Sequence, residues 1–377
     1  MATGRSLAPD DLLQLRLANQ HLANPQLSEP AAVVAHLGAV QAQDEPAARW
    51  ALGQRLQGAT EAGIERALDA GHILRTHVLR PTWHFVAPAD IRWLLELTGP
   101  RVRQAMAFAD RELGIDAAVV ARSNDALARS LAGGQRLTRP ELTMALRQAG
   151  LAGADDGRTV GHLLLRAEVD AVICSGPRRG KQVSYALLHE RVPATPPLER
   201  EAALAELVWR YFSSHGPATA SDFNWWSGLT LAETRRGLAA CGPRLEQTTT
   251  GGRTYWFAPP PGPPPPVQVG PVFLLANYDE YTVAYRERDL FFDPTTARSL
   301  DRREPVPFSN VIVADGRVAG VWRRRLHRDS VVVQTVWFAA PTPGQHAGLR
   351  AAAQRYAAFL GLAEARLESV EGAPTAR

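Results

Sequence analysis

Gln41 and Gln43, two residues apart in the run LGAVQAQDEPAARWALGQR, are the side chains whose type and spacing most suggest chemistry. A carboxamide cannot take a proton as a carboxylate does, but its carbonyl can hold a water and orient it. In a helix, residues two apart point about 200° from one another, whereas in extended chain they share a side. Asp44 as a cap and Pro46 in the next first turn put a break in helix here. The two amides are therefore expected to converge on a loop between helices. The other reading is that they satisfy loose backbone ends.

A second group lies in HVLRPTWHFVAPADIRWLLELTGPR, where His77, Thr82 and His84 fall on or beside β-like runs ending at a helix capped by Asp90. An imidazole here could help orient water or a sugar, although a histidine near aromatic neighbours is more often a hydrogen-bonded structural one. Trp83 reads as core. A third group, RRRLHRD, carries Arg323, Arg324, Arg325, His327 and Arg328. It reads either as a solvated face or as a hairpin tip pressed into a duplex, on phosphates or in the minor groove. Trp225 and Trp226, in DFNWWSG, read as apolar packing.

The elements that must position these groups follow a repeating order. From Thr138 the chain reads TRPELTMALRQAG, with Thr138 as cap, Pro140 in the first turn and Glu141 completing a capping box. A helix over residues 158–169 follows, then β-like runs at 171–175 and 182–187, joined by a turn carrying Arg178, Arg179 and Lys181. Helix, helix and a hairpin with a basic tip is the winged-helix order, in which the second helix enters a DNA groove and the wing touches backbone. It returns with helices at 198–214, 219–226 and 231–241, the last carrying Arg235 and Arg236, before RLEQTTT, GGR and TYWF as strand, turn and strand. The first segment fits less cleanly, with helices near 10–22, 30–40, 46–56 and 61–70 before HILRTHVL and TWHFV. Helices from 90 to about 131 lead into the second unit.

APPPGPPPPV, residues 258–267, reads as a stiff, extended linker. Beyond it VFLLANYD, NVIVADG, RVAGVWRRRL and SVVVQTVWFA form a small antiparallel sheet or barrel, closed by a helix over about 344–360. The expected class is α+β: three tandem winged-helix (helix-turn-helix) units and a small antiparallel β domain. The expected divisions are residues 1–115, 116–195, 196–260 and 268–377.

With 377 residues and 45% apolar content, the chain can build two to four domains with cores of their own. No apolar run approaches the roughly 18 to 20 residues of a membrane span, and the N-terminus lacks the order of a signal peptide. A cytoplasmic protein is expected. Cys174 and Cys241 stand far apart with no companion CxxC or HxxxH pair, so no disulfide framework, metal or other cofactor is expected. Basic side chains number 42 against 38 acidic, and Lys181 is the only lysine. Arginine forks onto phosphate and stacks on bases, but an Ala- and Arg-rich chain is also what a GC-rich genome encodes.

VQAQD, LRPTWHFVAPAD, HGPATASDFNWWSGL, ANYDEY and DGRVAGVWRR, spread from residue 40 to 324, resemble the AlkZ-like winged-helix DNA glycosylases. That family unhooks interstrand crosslinks made by bifunctional alkylating agents. The resemblance implies a C-shaped array of three winged helices around double-stranded DNA with a β domain beside it. It also implies an active-site glutamine-any-glutamine motif, which Gln41 and Gln43 match. A sister branch carries aspartate where Gln43 stands; this sequence falls on the glutamine side, with the self-resistance enzymes of azinomycin-type producers.

The chemistry stands on its own as well. Alkylation at guanine N7 leaves the base cationic, so the glycosidic bond is weakened and the departing base is neutral. Two amides could then fix a water near C1′ and steady an oxocarbenium-like sugar. A crosslinked base cannot be flipped fully into a tight pocket, so an open cleft is expected. With the only lysine in a wing, no Schiff-base lyase step is expected. Asp44, His77, Thr82 and His84 are expected around the amides, and the arginines named above on DNA. The chain is expected to act as a monomer without a protein partner. The rivals are a non-catalytic winged-helix regulator, expected to dimerise on a pseudo-palindrome, and a structural damage-binding factor.

Overall fold

A computed structural model describes residues 7–180, 182–259, 271–296 and 306–369. Lys181 and most of the expected Pro-rich linker lie outside the described residues. The first segment opens with α1 (Pro9–Asn19) and α2 (Pro30–Leu37). Gly38, at φ +81°, ends α2 in a backbone conformation that glycine adopts freely. The chain then pairs as β1 (Val40–Gln41) before α3 (Glu45–Gly53) and α4 (Glu61–Ala70). Asp44 caps α3 by accepting from Ala47 N at 3.2 Å. β2 (Leu74–His77) and β3 (Trp83–Val86) complete a three-stranded sheet in the order β1-β3-β2. The glutamine segment thus starts on a strand, where a loop between helices was expected.

α5 (Ile91–Glu112) and α6 (Ala117–Leu131) lead into β4 (Leu137–Thr138), α7 (Arg139–Gln148) and α8 (Gly157–Val169). The Thr138–Glu141 capping box is present at α7. β5 (Ile173–Arg179) and β6 (Gln182–Leu187) form a hairpin with β4 on its edge, and α9 (Leu188–Arg191) follows. α10 (Arg200–Ser214), α11 (Ala220–Ser227) and α12 (Leu231–Cys241) precede a second hairpin of β7 (Glu246–Thr250) and β8 (Arg253–Phe257). Thr219 with Asp222 and Thr230 with Glu233 form capping boxes at α11 and α12, so side-chain chemistry sets both starts.

The last stretch comprises β9 (Val272–Leu275), α13 (Glu280–Val283), β10 (Val311–Ala314), β11 (Arg317–Leu326), β12 (Ser330–Trp337), α14 (Pro343–Phe359) and β13 (Glu364–Ser369). Its five-stranded sheet runs β13-β12-β11-β10-β9. The sheet departs from the antiparallel expectation, because β13 pairs with β12 in parallel. The α14 crossover returns the chain to the sheet edge in the same direction as β12, as parallel pairing requires.

The cores cross the sequence divisions. Leu127, Leu142, Leu163 and Ile173 belong to a cluster confined to residues 115–187. A second cluster joins Trp50 and Phe85 to Leu274, Val333 and Tyr356, and a third joins Leu94, Tyr211, Phe223 and Trp226 to Leu275, Tyr281 and Val313. The C-terminal strands therefore share cores with the first and third segments instead of enclosing one alone. Trp50 Nε1 donates to Leu274 O at 2.7 Å, and buried Arg55 grips Asp279 through two bonds of 3.0 and 2.7 Å.

Candidate active site

The glutamine segment is held from beneath by the ANYDEY run. Gln41 N donates to Glu280 Oε1 at 2.6 Å, and Asn277 Nδ2 donates to Asp44 Oδ2 at 3.0 Å. The Glu280 carboxylate is fully enclosed and also accepts from Trp226 Nε1 at 3.0 Å and His215 Nε2 at 3.3 Å. Burial alone would raise its pKa; the His215 bond and charge and the Gln41 N–H outweigh that and hold it below the usual carboxylate range. Burial pushes the His215 pKa down, against the bond and charge of Glu280. Ser214 Oγ lies 2.8 Å from His215 Nδ1 and donates its proton to Arg210 O at 2.6 Å.

The two amides are presented differently. Gln43 is exposed, with Oε1 only loosely placed at 3.4 Å from Trp83 N. Gln41 is 8% exposed, and its side-chain carbonyl accepts from Arg80 Nη2 at 3.1 Å. Ala42 N bonds Trp83 O at 2.7 Å, so the extended run persists to Ala42 before the chain bends. Gln41, on the strand, lies deeper than Gln43, which sits in the bend that follows.

Arg80 is delivered by a tight reversal between β2 and β3. Leu79 takes φ +65°, Arg80 N bonds Val78 O and Thr82 N bonds Arg80 O, both at 2.7 Å. Gly228, the left-handed C-cap of α11 at φ +70°, packs on this turn; a Cβ there would stand 2.4 Å from Leu79 O. The Arg80 guanidinium lies 5.6 Å from the centroid of Trp225, whose indole N–H donates to Val283 O at 3.0 Å. A half-open cavity of about 220 Å³ beside Arg80 is lined by Leu79, Pro81, Arg101, Val102 and Gly228.

The expected neighbours separate into two groups. Across the sheet, Thr76, His84 and Gln41 occupy paired positions and so share one face. His84 Nδ1 donates to Thr82 O at 2.9 Å, which leaves Nε2 as an acceptor; neither it nor the Thr76 and Thr82 hydroxyls has a partner among the described residues. Burial, then the Arg80 charge, pushes the His84 pKa down to about 3, so the ring stays neutral. His77 is on the other face, hydrogen-bonded through Nδ1 to Glu168 of α8 and packed on Trp83 at 4.3 Å. It joins the first segment to the second. Trp83 is half-buried with Arg75 4.2 Å from its ring, which corrects its assignment to the core. Trp226 is fully buried as expected, but Trp225 is 38% exposed.

The profile of the family described as "DNA glycosylase AlkZ-like" matches residues 34–359. The chain belongs to the AlkZ-like DNA glycosylase family. A Streptomyces sahachiroi protein described as "Interstrand DNA cross-link repair glycosylase" is 25% identical over 324 residues, covering 81% of this chain and 85% of its own. The solved structure of "Streptomyces sahachiroi DNA glycosylase AlkZ" superposes with a TM-score of 0.80 at 21% identity, over 97% of this chain and 100% of that one. The mixed helix and strand fold is thus the AlkZ fold, and the enzyme is a glycosylase rather than a regulator.

The arginines expected on DNA differ in freedom. Arg325 and Arg328 are exposed at the β11–β12 tip and carry no ion pair among the described residues. Arg323 is half-buried, and Arg324 donates to Tyr356 OH at 2.7 Å. Arg235 is exposed; Arg236 pairs with Glu201 at 3.2 Å and Arg179 with Glu141 at 2.6 Å. Arg178 is turned back onto Glu65 at 2.7 Å and Glu45 at 3.6 Å, so it would have to leave both to reach a phosphate. Among the described residues, no cluster of three or more His, Cys, Asp or Glu could hold a metal, and no helix is long and apolar enough to cross a membrane. Sequence reasoning passed over Arg80, Trp225, Asn277 and Glu280. For Arg80, Asn277 and Glu280 the signal was a charged or polar residue next to apolar and aromatic neighbours, in LRPTWHF and LLANYDEY, where burial without a partner is costly; Trp225 gave none.

Proposed function

We propose that this AlkZ-like glycosylase hydrolyses the N-glycosidic bond of N7-alkylated purines in double-stranded DNA and unhooks interstrand crosslinks made by a bifunctional alkylating natural product. The observation that carries this is the Gln41–Gln43 segment, with one amide anchored by Arg80 and the other open. Gln43 takes the water, holding it by its carbonyl near C1′. Gln41, its dipole fixed by the Arg80 guanidinium and its backbone by Glu280, lies against the sugar and steadies the developing oxocarbenium charge. Because an N7-alkylated base departs neutral, two uncharged amides suffice, and undamaged purines are spared.

The helix–helix–hairpin segments act as three winged helices around the duplex, with the β11–β12 tip reaching the backbone or minor groove. Three such modules on one chain grip DNA as a monomer, in the cytoplasm at the nucleoid. The enzyme is monofunctional: the chain's only lysine is Lys181, and none lies in the glutamine segment. The test is incubation with duplex carrying N7-methylguanine, then alkaline cleavage at abasic sites, with borohydride present in a parallel reaction. Strand breaks without a trapped covalent complex are expected. A borohydride-trapped complex would refute the hydrolytic mechanism, and intact duplex under excess enzyme the substrate assignment. An authentic N7–N7 crosslink in the same assay sets the substrate range, and the similarity to the Streptomyces sahachiroi interstrand DNA cross-link repair glycosylase favours its turnover.

A further inference from the structure

Two guanidinium groups lie near the exposed indole of Trp225. Arg80 lies 5.6 Å and Arg288 5.3 Å from its centroid, and Arg80 is in turn bonded to Gln41. Both arginines are half-buried, and neither has a carboxylate in ion-pair contact among the described residues. Elsewhere, Arg55, Arg166 and Arg210 are matched to Asp279, Asp110 and Asp90, while enclosed Arg16 lies over the Tyr285 ring at 3.8 Å with no ion pair among the described residues. Arg288 offers Nε to Thr282 O at a long 3.4 Å, while its Nη2 and the Arg80 Nε are enclosed without a partner. Burial pushes the pKa of both downward, against the attraction of Glu280 at Arg80 and of Asp222 at Arg288, and Arg288 adds to the shift at Arg80. Two like charges, partly desolvated and with no carboxylate in direct contact among the described residues, favour an anion that joins them. The indole beside both is held in place by its N–H, which donates to Val283 O at 3.0 Å.

We propose that Arg80 and Arg288, both beside Trp225, form a subsite for a backbone phosphate of the damaged strand, next to the nucleotide whose sugar meets Gln41 and Gln43. The inference rests on the placement of those two glutamines at the deoxyribose. A phosphodiester is the anion closest to a reacting C1′, one sugar away, and arginine's fork matches its oxygens. A cationic N7-alkyl base would be repelled by the same pair, so the lesion lies on the other side of the sugar. Phosphate capture by Arg80 also stiffens the Gln41 carbonyl at the moment substrate arrives, which couples backbone binding to the alignment of the amide.

The test uses the full-length protein and a duplex with one 2′-fluoro N7-methylguanine, whose fluorine slows glycosidic cleavage enough for equilibrium binding by anisotropy. The phosphate on either side of the lesion is replaced in turn by a neutral methylphosphonate. For the wild type, one replacement is expected to weaken binding five- to tenfold. In Arg288→Gln the same replacement is expected to change binding less than twofold, with a salt slope shallower by about one. Arg288→Lys is expected to recover most of the wild-type sensitivity. Equal sensitivity of wild type and Arg288→Gln at both positions overturns the proposal. So does wild-type indifference at both positions, an arm that needs no variant to fold. Base release from the ordinary 2′-deoxy lesion duplex is scored separately, and its absence would count against the glycosylase substrate, not against the phosphate subsite.

Discussion

At the scale of single residues, the site rests on groups whose charge state is fixed by enclosure. His84 is fully buried with its pKa pushed down to about 3, and half-buried His36 is pushed down to about 4, in both cases first by desolvation. An unfolded histidine titrates near 6.5, so below that pH the unfolded chain takes up a proton that folded His84 refuses. Stability contributed by His84 is therefore complete above about pH 6.5 and is lost as pH falls toward 3, by at most about 1.4 kcal/mol per pH unit. Denaturant melts of the wild type and His84→Gln at pH 7, 6 and 5 should show a shallower acid slope in the variant. Identical slopes would mean that His84 is protonated in the folded protein. The same neutrality keeps Nε2 an acceptor beside Gln41 across physiological pH. Residue types were the most legible layer: Gln41, Gln43 and Asp44 stood out by spacing and capping alone. Arg80 did not, because a charge in a turn gives no sign of which side chain it will meet.

At the scale of elements, the site depends on how closely α11 approaches the β2–β3 turn. Gly228→Ala would place a Cβ 2.4 Å from Leu79 O at a residue with φ +70°, so backbone must move on one side or the other. A loss of about 2 kcal/mol or more is expected by denaturant unfolding. Since the displaced turn carries Arg80, the rate of base release should fall further than binding. Wild-type stability together with a wild-type rate would show that the close approach is not required.

Helices were read well wherever capping residues marked them: residues 61–70 and 231–241 match α4 and α12 as observed. Strands were less legible. The ANYD continuation of β9 looked like more strand, yet pairing stops at Leu275, and Asn277, Asp279 and Glu280 turn in to bond Asp44, Arg55 and Gln41. β13 escaped notice because EARLES is a polar edge segment whose pairing comes from the α14 crossover, not from its own pattern. Trp83 and Trp225 were misread for a related reason: apolar type predicts burial only when the facing element is known.

At the scale of the whole molecule, contacts far apart in sequence hold the glutamine segment in place. Arg55–Asp279 ties the turn after α3 to the C-terminal region, His77–Glu168 ties the first sheet to α8, and Glu280 links Gln41 to Trp226 of α11. None of these long-range pairs was legible in the sequence, whereas the repeating order of helices and hairpins was. Two shared cores make the C-terminal sheet part of the scaffold beneath the glutamines, and its β11–β12 tip still presents Arg325 and Arg328 outward.

The central claim is that two uncharged amides at the end of β1 perform the hydrolysis. It is tested most directly by single-turnover release of N7-methylguanine from duplex DNA by the wild type and by Gln41→Ala/Gln43→Ala, with binding to the same duplex measured alongside. The double variant is expected to lose release by at least a hundredfold while binding stays within about threefold. Release at the wild-type rate by a folded double variant would contradict it and move the chemistry to other residues.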